Sequence, residues 1–341
     1  MKFYITTLAK ILLILSWTLL VPKSSIFGQK KERSLEQDPL LNNLVHPDGY
    51  VTMDTTKLGN VVKRGSGPRD LILIAGLGLS GEFVFKEFIE NNKSKYTMYV
   101  VTLAGYGGTQ AYPMPAKGTS YGARTWLTYG QHGILNLIDK HQLVAPVLVS
   151  YSTEGHIIAM QIAKDDPDKI GGIVSIGAEP FRRMVYNGND FGSTLRTTKV
   201  DKGWAPKWFK TVTKKTWDSN MYADEAYSLT PGLGNQLASK INEPDLQVMV
   251  RYLCEQWTFD PRPTYSEINT PILAIVPGFT AEFLADPENQ LYKNSFVESW
   301  TKDGGDKIYK SHVIERAGLF VYHDQPEKVD KLIYNFIKEL E

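Results

Sequence analysis

The chain has 341 residues, 42% apolar and 22% charged, the balance of an ordinary globular protein. A formal net charge of +1 with no basic stripe excludes a nucleic-acid footprint. Cys254 is the only cysteine, which excludes an internal disulfide and a cysteine-based zinc site.

Residues 1–28 stand apart. "MKFYITTLAK" is weakly basic, "ILLILSWTLLV" is apolar, and "PKSSIFG" leads to Gln29. This is the pattern of a signal peptide cut after Gly28, and it predicts a periplasmic or secreted protein. The apolar run is short for a membrane span, so no stable span is expected once it is removed. An uncleaved N-terminal anchor is the alternative. Residues 29–48 are polar and charged and read as a flexible lead-in.

From about residue 50 the elements follow in order. "GYVTMDTT" and "LGNVVKRG" read as a hairpin, and "DLILIAG" as a buried strand. "EFVFKEFIENN" has helical spacing, and "YTMYVVTLAG" is the next buried strand. "YGARTWLTYGQHGILNLIDKHQL" reads as one helix, with Gly130 and Gly133 against it. "APVLVS" is a strand, residues 154–165 its following helix, and "DKIGGIVSIGAE" another strand. Between Pro180 and Pro263 the alternation stops, and the stretch holds Trp204, Trp208, Trp217 and Trp257 among helical patches. It resumes with "TPILAIVPG" and "SHVIERAG" and closes with the amphipathic "QPEKVDKLIYNFIKELE". Such alternation predicts an α/β fold, an eight-stranded and mostly parallel sheet with helices on both faces. The core is expected over 49–180 and 263–341, with a helical cap over 181–262.

The informative stretch is "VLVSYSTEGHIIAMQIA", Val147 to Ala163. An apolar strand stops at a serine-rich corner and a helix-period pattern begins at once. With "LIAGLGLSG", "LAGYGGT", "DPDKIGGIVSIG", "RPTYSEINTPILAI" and "AGLFVYHDQPEKV" in this order and spacing, it resembles the α/β-hydrolase superfamily over roughly 50–341. The resemblance implies a serine hydrolase, esterase-like, with chain order serine, acid, histidine. It places Ser152 at the nucleophile turn, where the family's flanking glycines are here Ser150 and Glu154. It implies oxyanion-binding N–H groups on Leu77 and Thr153, and a cap whose Trp204, Trp208 and Trp217 line an apolar cleft for a small-molecule substrate.

The triad is incomplete. Leu319 stands where the family has its histidine, and His323, four residues on, is the best remaining candidate. His312 falls inside a strand, and His156 lies one helical turn after Ser152, pointing along the helix. Ala281 stands near the usual acid position, which leaves Glu282 or Asp286 there, or Glu179 after the preceding strand; Glu282 and Glu179 are equal candidates. The plain alternatives are a Ser152 that caps a helix, carboxylates that are solvated, and tryptophans that are the cap's own core. No cofactor or metal is expected: the phosphate-loop, dinucleotide and His-Glu-x-x-His spacings are all missing. The expected activity is weak or narrow hydrolysis of an ester or similar acyl bond. The alternative is a degenerate hydrolase-fold protein that binds a small molecule or a protein partner, and Glu154 is a further carboxylate on which activity could depend.

Overall fold

The computed structural model describes residues 58–183, 185–186, 189–190, 192–218, 224–241, 244–301 and 309–341. The expected signal peptide, the lead-in and the first strand of the expected hairpin lie outside them.

The described sheet has seven strands rather than the eight expected. They are β1 Asn60–Arg64, β2 Arg69–Ile74, β3 Tyr96–Thr102, β4 Val147–Tyr151, β5 Gly172–Ile176, β6 Ile272–Pro277 and β7 Tyr309–Ile314. Their spatial order is β1-β3-β2-β4-β5-β6-β7, with β1 antiparallel to β3 and every other pair parallel. Every residue of β3, β4, β5 and β6 is buried. Helices cover both faces of a parallel sheet, so its central strands carry unbroken apolar runs rather than alternation. In parallel α/β sheets the ligand site lies beyond the carboxyl ends of the strands.

The helices that matter here are α1 Lys86–Asn92, α2 Thr125–His141, α3 Ser152–Asp165, α4 Leu233–Ile241, α5 Leu246–Thr258 and α6 Pro326–Glu339. In α6, Val329, Ile333, Phe336 and Ile337 are buried, one apolar stripe at helical spacing. The run 121–143, read as one helix, begins instead as a turn of 3₁₀ helix at Tyr121–Ala123. Arg124 then turns left-handed, at φ 46°, before α2 starts. Arg124 makes no side-chain cap, so the orphan amides of the first turn of α2 need another acceptor. Glu255 of α5 supplies it, accepting from the N–H groups of Trp126 and Leu127 at 3.0 Å. Gly130 has a packing role: a Cβ there would lie 2.7 Å from Ile158 Cδ1 of α3, so glycine lets the two helices close.

Between β5 and β6 lie a two-residue β ladder, Val185–Tyr186 with Asn189–Asp190, and several helices including α4 and α5. Part of this insertion reaches the carboxyl edge of the sheet. A Cβ on Gly78, just past β2, would meet Pro244 Cγ, Met249 Sδ and the Ile241 carbonyl within 3.2 Å. A Cβ on Gly105, past β3, would lie 2.7 Å from Val248.

Candidate active site

The chain leaves β4 at Tyr151 in extended geometry, and Ser152 turns sharply at φ 77° before α3 continues. A non-glycine residue held at positive φ costs roughly 1–2 kcal/mol, which the surrounding packing has to over-determine. The small residues that make the turn possible are Ser150 and Gly155. A Cβ on Gly155 would lie 2.9 Å from the Ile74 carbonyl and 3.1 Å from Ser150 Cβ. The glycine that sequence patterning seeks at 154 is therefore one residue later, and Glu154 is free to face the turn.

Glu154 uses that freedom. The Ser152 hydroxyl donates to Glu154 Oε2 at 2.6 Å, and the Tyr106 hydroxyl donates to Glu154 Oε1 at 3.0 Å. All three side chains are buried, Ser152 at 3% and Glu154 at 2% exposure. Gly76, just past β2, makes room for them. A Cβ on Gly76 would lie 1.9 Å from Ser152 Oγ and 2.7 Å from Glu154 Oε2. Leu77 follows with a left-handed backbone, φ 54°, which re-aims the chain at the end of β2. Thr153 is in the first turn of α3, where an amide has no acceptor within its helix. Its hydroxyl accepts from the Glu179 N–H at 3.3 Å, which fixes the chain after β5 beside the serine turn.

Glu179 is nearly fully buried and forms an ion pair with Arg182 at 3.3 Å. Burial pushes its carboxyl up, against the pull of Arg182, and the charge of Glu154 adds to the rise. Arg182 in turn donates to Gln256 at 2.8 Å and lies over the Trp257 ring, tying this carboxylate to α5. Glu282 is elsewhere: it is exposed in the helix Ala281–Ala285. Asp286 caps the next turn, accepting from the Glu288 N–H.

The histidines do not complete a triad among the described residues. Leu319 is buried in the loop after β7. Its N–H donates to the Ala226 carbonyl at 2.8 Å, and its own carbonyl would lie 2.1 Å from a Cβ on Gly177. His323 sits in the helix Val321–Asp324 with its ring against Phe320 and Tyr322, and no hydrogen bond joins it to Ser152. Burial pushes its pKa down, with Asp324 opposing. The loop is pinned by Asp324, which accepts from the Ser228 hydroxyl at 2.6 Å, the Leu229 N–H and the Gly318 N–H. His312 is exposed on β7. His156 is wholly buried against Trp300, ring centroids 5.1 Å apart, and neither ring nitrogen has a hydrogen-bond partner.

Three tryptophans of the insertion pack together. Trp204 stacks on Trp208 at 5.9 Å and meets Trp257 edge-on at 4.9 Å, and Trp217 is buried in the same apolar core. Among the described residues no group of three or more His, Cys, Asp or Glu side chains could hold a metal ion.

No protein-family model matches the sequence, and no curated protein matches it. Solved structures do. A thermophilic esterase from Thermogutta terrifontis superposes with TM-score 0.56 at 16% identity, covering 82% of this chain and 93% of that one. A hydrolase from Oleispira antarctica gives TM-score 0.56 at 17% identity, covering 84% and 96%. The enol-lactonase from Burkholderia xenovorans LB400 gives TM-score 0.54 at 12% identity, covering 82% and 96%. The chain has the α/β-hydrolase fold. At these identities the likeness speaks for the fold alone, and chemistry has to be argued from the site.

Sequence reading singled out Ser152, Leu77, Thr153 and Glu179, which the hydrolase fold gathers at one corner of the sheet. Glu154 stood out in the sequence as a departure at the second position after the serine, but not as its hydrogen-bond partner. Tyr106 was missed. It lies inside "LAGYGGT", quoted for its glycines, and no sequence period relates it to a residue 48 positions on.

Proposed function

We propose that this protein is an exported serine hydrolase acting on a small apolar carboxylic ester, or a similar acyl bond, with Ser152 as nucleophile and Glu154 as its base. The observation that carries the reading is the 2.6 Å hydrogen bond from the Ser152 hydroxyl to Glu154 Oε2 at a positive-φ strand–helix turn. A serine is a poor nucleophile unless an adjacent base takes its proton. In the proposed reaction Ser152 Oγ attacks the carbonyl carbon and its proton passes to Glu154. The oxyanion rests on the N–H groups of Leu77 and Thr153. Collapse expels the alcohol, which takes the proton back from Glu154, and leaves an acyl-serine. Water then attacks the acyl-serine, giving its proton to Glu154. The carboxylic acid leaves as the proton returns to Ser152.

A carboxylate is a weaker base than imidazole by about two pK units. Proton transfer to it lags in the transition state, so the reading favours esters with good leaving groups and a low rate. The test is incubation with p-nitrophenyl acetate followed by peptide mapping. The expected result is nitrophenolate release with an acetyl group on the peptide holding Ser152. No release and no adduct would leave the second reading, a binding protein on a degenerate hydrolase fold, which the burial of Leu319 favours. Export is proposed on residues 1–28, and N-terminal sequencing of protein from the cell envelope is expected to begin at Gln29. An intact Met1 would overturn cleavage.

A further inference from the structure

We infer that Tyr106 is a positioning residue for Glu154: its hydroxyl holds one carboxylate oxygen so that the other faces Ser152. The inference rests on the proposed Ser152–Glu154 reading and adds a residue to it.

The geometry is a chain of two hydrogen bonds through one carboxylate. Tyr106 donates to Oε1 at 3.0 Å and Ser152 donates to Oε2 at 2.6 Å. A carboxylate on a long side chain has several rotamers, and its terminal torsion is broad. Tethering both oxygens to hydroxyls from different elements removes that freedom. It also leaves each oxygen with one strong donor, so neither is orphaned in a dry site.

Tyr106 is itself fixed on every side. It lies between Gly105 and Gly107, both at positive φ, in a turn closed by bonds from the Thr109 N–H and hydroxyl to the Tyr106 carbonyl. Its ring packs on Tyr252 of α5 at 4.7 Å, and Tyr252 is anchored by its hydroxyl on the Ala104 carbonyl. Trp126 of α2 meets Tyr252 edge-on at 5.2 Å. A phenol so held can aim one donor with little residual motion, which is what orienting a catalytic base requires. Burial and the neighbouring Glu154 push the Tyr106 phenol well above its ordinary range, so it stays a donor and does not compete for the serine proton. The titratable groups that feel this carboxylate are Tyr106, Tyr252 and Glu179, and Arg182 acts on Tyr106 and Glu179 beside it. Of the three titratable groups, Tyr106 alone hydrogen-bonds Glu154 among the described bonds.

The experiment is a double-mutant cycle on the full chain with p-nitrophenyl acetate, using Tyr106→Phe, Glu154→Gln and both together. Tyr106→Phe is expected to lower kcat on the order of tenfold with KM unchanged, the range of a hydrogen bond to a charged group. In the Glu154→Gln background the same change should cost nothing further. Equal losses in both backgrounds, or a loss carried by KM rather than kcat, would overturn the inference. If Glu154→Gln itself leaves kcat intact, the Ser152–Glu154 reading fails instead. Should Tyr106→Phe fold poorly, a fluorotyrosine at position 106 keeps the shape and strengthens the donor. It should change kcat with KM unmoved, and an unchanged kcat would count against the inference.

Discussion

Glu154→Gln is expected to lower kcat for an activated ester by about 10²–10⁴-fold, the range that a positioned general base supplies. The amide is nearly isosteric and can still accept from the Ser152 hydroxyl, but it cannot take the proton that the hydroxyl must lose. Ser152→Ala removes the covalent route altogether, leaving only what the oxyanion groups and binding provide. Because the two residues act as a unit, the double variant should be no slower than Ser152→Ala alone. Steady-state rates of the three variants, each checked for folding by its melting curve, read this directly. Two independent, multiplying losses would mean that Glu154 acts elsewhere in the protein. The burial of both groups sharpens the expectation, since at 2–3% exposure little bulk water reaches the pair to stand in for the missing base.

His156→Leu is expected to make the protein markedly more resistant to acid. Burial pushes His156 down to about 3, and both ring nitrogens lack hydrogen-bond partners. The folded state therefore holds this ring neutral, while the unfolded chain binds a proton below about 6.5. The sign follows from linkage. The contribution of this ring is intact above 6.5 and is lost as pH falls from 6.5 towards 3, because there the unfolded state binds more protons. At pH 5 the loss relative to pH 7.5 is about 2 kcal/mol, at 1.36 kcal/mol per pK unit. For a chain of 341 residues it corresponds to about 3 °C in Tm. The variant should lose that share of its acid sensitivity. At pH 7.5 it should be as stable as the parent or more so, since two unsatisfied polar atoms leave the core. Melting curves of both proteins at pH 7.5 and pH 5 check this. Equal pH dependence in the two would show that His156 is not held neutral.

Most of the fold could be read from the chain because its strands are apolar on both faces. Runs such as Leu71–Ile74 and Val147–Val149 are wholly buried, as the central strands of a parallel sheet under two helical layers are. What could not be read were local reversals. Arg124 goes left-handed and splits the expected helix at 121–143, since its cap comes from Glu255, 129 residues from Trp126. The site was legible as a position but not as chemistry. The β4–α3 junction announces Ser152, whereas the partner of its hydroxyl depends on which way Glu154 points. That direction is set by Gly76 leaving space and by Tyr106 arriving from the turn after β3. The familiar serine–acid–histidine order drew attention to Glu282 and His323. His323 has its ring against Phe320 and Tyr322, and Glu282 is exposed.

The central claim is that Ser152 is a nucleophile activated by Glu154 without a histidine. The most direct measurement is the rate at which a fluorophosphonate labels the protein, with the labelled residue mapped. The account predicts a single label on Ser152 in the parent, formed at a similar rate in His323→Gln and far more slowly in Glu154→Gln. A label on any other residue, no label at all, or labelling that survives Glu154→Gln and is lost in His323→Gln would contradict it.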